Sequence, residues 1–125
     1  MIHLDTNALI ALPLWSREAH PIVQRIANGE AAEVCAVVWY EFLIGPVEPA
    51  EVHLAHAFIR GRILATEAGD AQLAAALFND TGRRRTLKTD TLIAATAIRA
   101  GAEFLTLNVD DFQPFTASGL RLAPV

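Results

Sequence analysis

The feature that most constrains this chain is its alternation of short apolar runs with helix-forming segments. Strands separated by crossovers of about a dozen residues or more pair in parallel, and a parallel sheet needs helices on both faces. Residues 1–4 read as a strand, and Asp5-Thr6-Asn7 supplies capping residues to a helix through 8–12 that Pro13 stops. Ser16 caps a helix over 17–28, closed by Gly29. Residues 34–38 read as a buried strand, followed by a helix over 39–44 that Gly45-Pro46 ends and another over 49–59. A short strand at 62–65, an alanine-rich helix over 68–78, a buried helix over 91–100 and a strand at 104–107 complete the pattern, with a turn at 108–111. The fold class expected is α/β, a three-layer sandwich with a central parallel sheet, in one domain spanning 1–125.

Ligands of such sheets gather outside the carboxyl ends of the strands. Acidic residues stand there beside apolar segments, where an unpaired charge is costly: Asp5, Glu41, Asp90 and the pair Asp110 and Asp111. Each has an ordinary reading. Asp5 serves equally as a helix N-cap, Thr89 or Asp90 can cap the helix that follows, Asp110 and Asp111 suit a turn, and Glu41 can pair with an arginine. The common alternative is a hard divalent cation, Mg²⁺ or Mn²⁺, held by carboxylate oxygens and able to activate water against a phosphate.

Charge bears on the partner. The net charge of −4 argues against nucleic acid, yet residues 60–99 hold seven basic against four acidic side chains, +3, leaving −7 for the rest. Arg83, Arg84, Arg85 and Lys88 directly precede Asp90, either as phosphate contacts for RNA or as a solvated loop. Hydrophobic residues make up 53% of the chain, which excludes disorder and fits a protein that buries one face in a partner. No run of about 18 apolar residues occurs, so no membrane span is expected. The opening residues lack a basic segment followed by an apolar one, and the single Cys35 reads as a core thiol, so the expected compartment is the cytoplasm.

Four segments then carry a resemblance: Ile2-His3-Leu4-Asp5-Thr6-Asn7-Ala8-Leu9-Ile10, Trp39-Tyr40-Glu41-Phe42-Leu43-Ile44-Gly45, Asp90-Thr91-Leu92-Ile93-Ala94-Ala95-Thr96-Ala97 and Leu105-Thr106-Leu107-Asn108-Val109-Asp110-Asp111-Phe112. In order, spacing and total length they resemble the motifs of PIN-domain proteins, and among these the VapC-type toxins of toxin–antitoxin pairs. The resemblance spans nearly the whole chain. It implies an α/β/α sandwich and a Mg²⁺- or Mn²⁺-dependent endoribonuclease, a cognate antitoxin covering the apolar and catalytic surface, and a homodimer. It makes Asp5 and Asp90 the principal metal ligands, Glu41 the third acid, Thr6 an orienting hydrogen-bond partner and Asp111, in preference to Asp110, the later acidic position. Asn108 stands where many relatives have an Asp, and an amide brings no charge, so the number of metals stays open at one or two.

Other readings meet obstacles. An aspartyl phosphatase needs a second acid where Asn7 stands, and no phosphate-loop or dinucleotide glycine motif occurs. A binding module without activity, or an RNA maturation nuclease outside any toxin pair, shares the same motifs and stays open. His53 and His56 share a helix face but lack a third ligand, and Trp15, Trp39 and Tyr40 suit core or interface packing better than base stacking.

Overall fold

Ile2, His3 and Leu4 are all buried, the burial pattern of a strand with neighbours on both sides and helices above and below. This is β1 (Ile2–Leu4) in the computed structural model, which describes residues 1–124. The other strands are β2 (Ala32–Cys35), β3 (Ile63–Leu64), β4 (Glu103–Leu105) and β5 (Arg121–Leu122). Their order is β3-β2-β1-β4-β5, with every neighbouring pair parallel. The register sets Ile2 against Ala32 on one side and Glu103 on the other.

Among the described residues, seven α-helices connect them: α1 (Thr6–Arg17), α2 (Pro21–Ala27), α3 (Ala36–Ile44), α4 (Pro49–Ile59), α5 (Ala68–Asp80), α6 (Lys88–Ala100) and α7 (Val109–Phe112). The chain moves outward from β1 through β2 to β3, then returns across the sheet to β4 and moves outward again to β5. Right-handed crossovers therefore place α1, α2 and α4 over one face and α5 and α6 over the other. Contacts of α1 with α2 and α4, and of α5 with α6, follow that division. The result is the α/β/α sandwich expected. Connections diverge between β1 and β4, so the loops after these two strands open a crevice at the carboxyl edge. Phe104, Phe112 and Phe115 pack beneath that edge, with ring centroids 4.6 and 5.9 Å apart. Each buried ring contributes about 2–3 kcal/mol, so the loop after β4 rests on a firm base.

Several boundaries differ from the sequence reading, each for a physical reason. Pro13 does not stop the first helix; α1 runs through it to Arg17. Ala8, Leu9, Leu12 and Trp15 are buried on either side of it, and that packing outweighs the roughly 3 kcal/mol that an interior proline costs. The second helix accordingly begins later, at Pro21, capped by His20 Nδ1 instead of Ser16. The buried strand is Ala32–Cys35, not 34–38, and Val37 and Val38 enter α3 despite their β-branching because Val38 packs into the core there. The strand predicted at 104–107 ends at Leu105, and the predicted turn is the N-cap Asn108 followed by α7. A 3-10 turn (Arg85–Leu87) leads into α6, which begins at Lys88, so neither Thr89 nor Asp90 is its cap.

Candidate active site

Asp5 leaves β1 as the N-cap of α1, with its Oδ1 accepting from the Thr6 N–H at 2.9 Å. Its own N–H donates to the Leu105 carbonyl at 2.9 Å, which ties the ends of β1 and β4 together. The other carboxylate oxygen, Oδ2, accepts from the Thr106 hydroxyl at 2.7 Å. Only 5% of Asp5 is exposed. Burial raises its pKa and Glu41 adds to the rise, while the bonds from Thr106 and Thr6 counter it.

Glu41 reaches the same place from α3, where Thr6 Oγ1 donates to its Oε1 at 2.7 Å. No arginine pairs with it among the described residues. Asp90 comes from the first turn of α6, where the helix dipole favours a carboxylate. Desolvation, with Asp5, Asp111 and Glu41 close enough to repel it, pushes its pKa up to about 6. Asp5, Thr6, Asn7, Glu41, Asp90 and Asn108 line one open depression at the carboxyl edge.

Asp110 and Asp111 both border a neighbouring depression with Asn108 and not the one that Asp5, Glu41 and Asp90 line; Asp111 is half-buried on α7 and raises the pKa of Asp90, whereas Asp110 is exposed. Arg84, Arg85 and Lys88 are exposed just before Asp90 and take part in no ion pair among the described residues. Arg83 is occupied locally, bonded to Asn79 and lying 5.2 Å from the Phe78 ring centroid. His56 meets the edge of Trp39 at 6.1 Å, Trp39 stacks on Phe42 and Trp15 on His20, while Tyr40 is exposed. Cys35 is buried.

Sequence reasoning gave no role to Thr106 and considered Asn7 only as a missing acid. Both prove to stitch the two central strand ends together: Asn7 Oδ1 accepts from the Leu107 N–H at 3.1 Å, and the Thr106 hydroxyl donates to Asp5 Oδ2 at 2.7 Å. These contacts bridge about a hundred residues, so no local pattern announces them.

The donor set suits a hard cation: every polar group is an oxygen or amide, and the acids repel one another with no basic partner among the described residues. Among those residues no group of three His, Cys, Asp or Glu is drawn tightly enough to enclose an ion alone. Mg²⁺ tolerates such openness, since it commonly keeps several waters and takes one or two carboxylates.

A parallel α/β sandwich whose two central strand ends and flanking helices gather carboxylates defines an α/β protein with an acid-lined crevice at the carboxyl edge of its sheet. Within that class, the chain belongs to the PIN-domain family, whose model matches residues 2–114. Among solved structures it is similar to VapBC-1 from nontypeable Haemophilus influenzae, with a TM-score of 0.70 and 18% identity over 98% of this chain and 97% of that one. It is similar also to VapBC2 from Rickettsia felis bound to a DNA fragment from their promoter, with a TM-score of 0.65 and 20% identity over 98% of each chain. A toxin-antitoxin complex from Klebsiella pneumoniae matches with a TM-score of 0.65 and 23% identity over 90% of each chain. No significantly similar sequence was found among curated proteins. Among the described residues, no helix is long and apolar enough to cross a membrane.

Proposed function

We propose that this chain is a Mg²⁺- or Mn²⁺-dependent endoribonuclease and the toxin of a toxin–antitoxin pair. The observation that carries the reading is the convergence of Asp5, Glu41 and Asp90 from separate segments on one depression, with no basic side chain paired to them among the described residues. Asp5 and Asp90 are the proposed principal ligands, with Glu41 as the third acid and Asp111 supporting. The bound cation would supply charge against the scissile phosphate and lower the pKa of water. Thr6 holds the Glu41 carboxylate toward the depression, and Asn108 offers an amide that accepts from or donates to water. Arg84, Arg85 and Lys88, free of ion pairs among the described residues, are the proposed contacts for RNA phosphates; Arg83 is the weaker contact because Asn79 already engages it.

The antitoxin reading rests on an apolar groove beside the site. Leu9, Pro13, Phe42, Val47 and Ala55 line it, and it shares Ile10 and Glu41 with the acidic depression. One partner segment lying there covers apolar surface and active site together, as suits a neutralising protein. Exposed Tyr40, Leu43 and Ile44 on α3 provide apolar surface for a homodimer. Light scattering of the isolated chain tests the dimer.

The decisive experiment is cleavage of total RNA by purified protein with Mg²⁺ or Mn²⁺. Cleavage that survives excess chelator, or Asp90→Asn, sinks the mechanism. One observation favours a second reading, an RNA-binding module without chemistry: the lack of a closed three-acid cluster among the described residues. RNA retention with no cleavage under any divalent cation would establish it instead.

A further inference from the structure

We propose that Thr106 is a positioning residue for the cation site, holding Asp5 and the Asn108 loop in register through one hydroxyl. This rests on the metal-dependent reading above and deepens it. Thr106 lies just beyond β4 and is 1% exposed, so its hydroxyl has no water to turn to. A hydroxyl has one proton to give, and Thr106 gives it to Asp5 Oδ2 at 2.7 Å. Its lone pair accepts from the Asn108 N–H at 3.0 Å. The Asn108 bond has one direction because a backbone N–H can only donate, and the Asp5 bond has one because an ionised carboxylate, the form that binds a cation, can only accept. Donation to Oδ2 and the Thr6 N–H on Oδ1 fix both oxygens of the carboxylate, and each keeps a lone pair to turn on a cation.

The second bond matters because residue 108 lacks a charge. An amide at that corner is useful only if its backbone is held where its side chain lines the depression, and the Thr106 bond does this from one side. The Leu107 N–H bond to Asn7 Oδ1 does it from the other. Thr106 touches neither the proposed cation nor RNA, and so acts through Asp5 and Asn108.

Thr106→Val and Thr106→Ser separate positioning from packing. Valine keeps the shape and loses the hydroxyl, whereas serine keeps the hydroxyl and loses a methyl. A packing role predicts that serine harms and valine is mild; positioning predicts the reverse. Mn²⁺ affinity of the folded fraction, by calorimetry or electron paramagnetic resonance, should weaken about tenfold or more in Thr106→Val, the usual cost of removing a bond to a ligand. Thr106→Ser should stay within about threefold of the wild type, and RNA cleavage should follow the same order. If valine does not fold, Thr106→Ala is read in its place, since it also lacks the hydroxyl without pressing a methyl on the carboxylate. Equal Mn²⁺ affinity in the hydroxyl-free variant and the wild type overturns the positioning role while leaving the metal reading intact. Failure of the wild type itself to bind Mn²⁺ overturns both.

Discussion

The two edges of the sheet treat charge in opposite ways. At the amino edge, acids have partners: Arg25 bridges Glu30 at 2.6 Å and Glu103 at 2.8 Å, and the amino terminus approaches Glu30 at 3.4 Å. On the α5/α6 face, Arg99 grips the buried Asp70 at 2.7 Å, and His3 meets Glu33 at 3.0 Å on β1 and β2. At the carboxyl edge, Asp5, Glu41 and Asp90 line one depression with Asp111 close enough to raise Asp90, and the donors to Asp5 and Glu41 are only hydroxyls and a backbone amide. Elsewhere the half-buried and buried acids Glu30, Glu33, Asp70 and Glu103 each have a basic partner, whereas the half-buried and buried acids of the carboxyl edge have none among the described residues. The contrast is a sharper sign of function than any of these acids taken singly.

The largest effect expected from breaking this contrast is at the carboxyl edge. Asp5→Asn or Asp90→Asn should lower RNA cleavage by about 10³-fold or more, since several kcal/mol of transition-state stabilisation go with the cation. Circular dichroism should stay unchanged.

Acid titration comes next, with opposite signs at the two edges. Asp90 is raised from 3.8 to about 6, so the folded chain takes up a proton that the unfolded chain does not. Without added cation, stability at this group is present at low pH and falls as pH rises from about 4 to about 6, by roughly 2 kcal/mol. Glu30 is held down to about 2 by its bond to Arg25, so its contribution is present above its ordinary value of 4.5 and disappears as pH falls toward 2. Urea denaturation across pH 3–8 should show the first slope, Asp90→Asn should flatten it, and saturating Mg²⁺ should reverse it.

Arg99→Met comes third. It strands the Asp70 carboxylate, which is 1% exposed, and should cost about 1–3 kcal/mol by the same assay while cleavage persists. The smallest effect belongs to Glu103→Gln. Its pairing with the third-exposed Arg25 is screened by water, and thermal melts should register no more than about 0.5–1 kcal/mol.

Much of this plan was legible before any coordinates, in proportion to how locally each part is determined. Helix α4 and the core of α5 follow from Pro49, alanine content and terminating residues, and β3 from Ile63-Leu64. The β2 to α3 boundary misled because Val37 and Val38 favour strands locally, and packing of Val38 decides otherwise. Strand β5, two residues long at the sheet edge, and the four-residue α7 carry too little pattern to be seen. The acids stood out because a carboxylate amid apolar residues is costly. Of their supports only Thr6 was named, through the resemblance; Thr106 and Asn7 were not, since a threonine near a strand end looks alike whether its hydroxyl faces a carboxylate or water. The Asp70 to Arg99 pair was hidden for the same reason.

The position of β1 between β2 and β4 also has a temporal consequence. The groups that hold Asp5, the Leu105 carbonyl and the Thr106 hydroxyl, are made about a hundred residues after it. A nascent chain that has passed Asp5, Glu41 and even Asp90 still lacks the strand that aligns them. The acidic centre thus closes only after the strand that follows Asp90 has been made, so the order of synthesis itself delays the site.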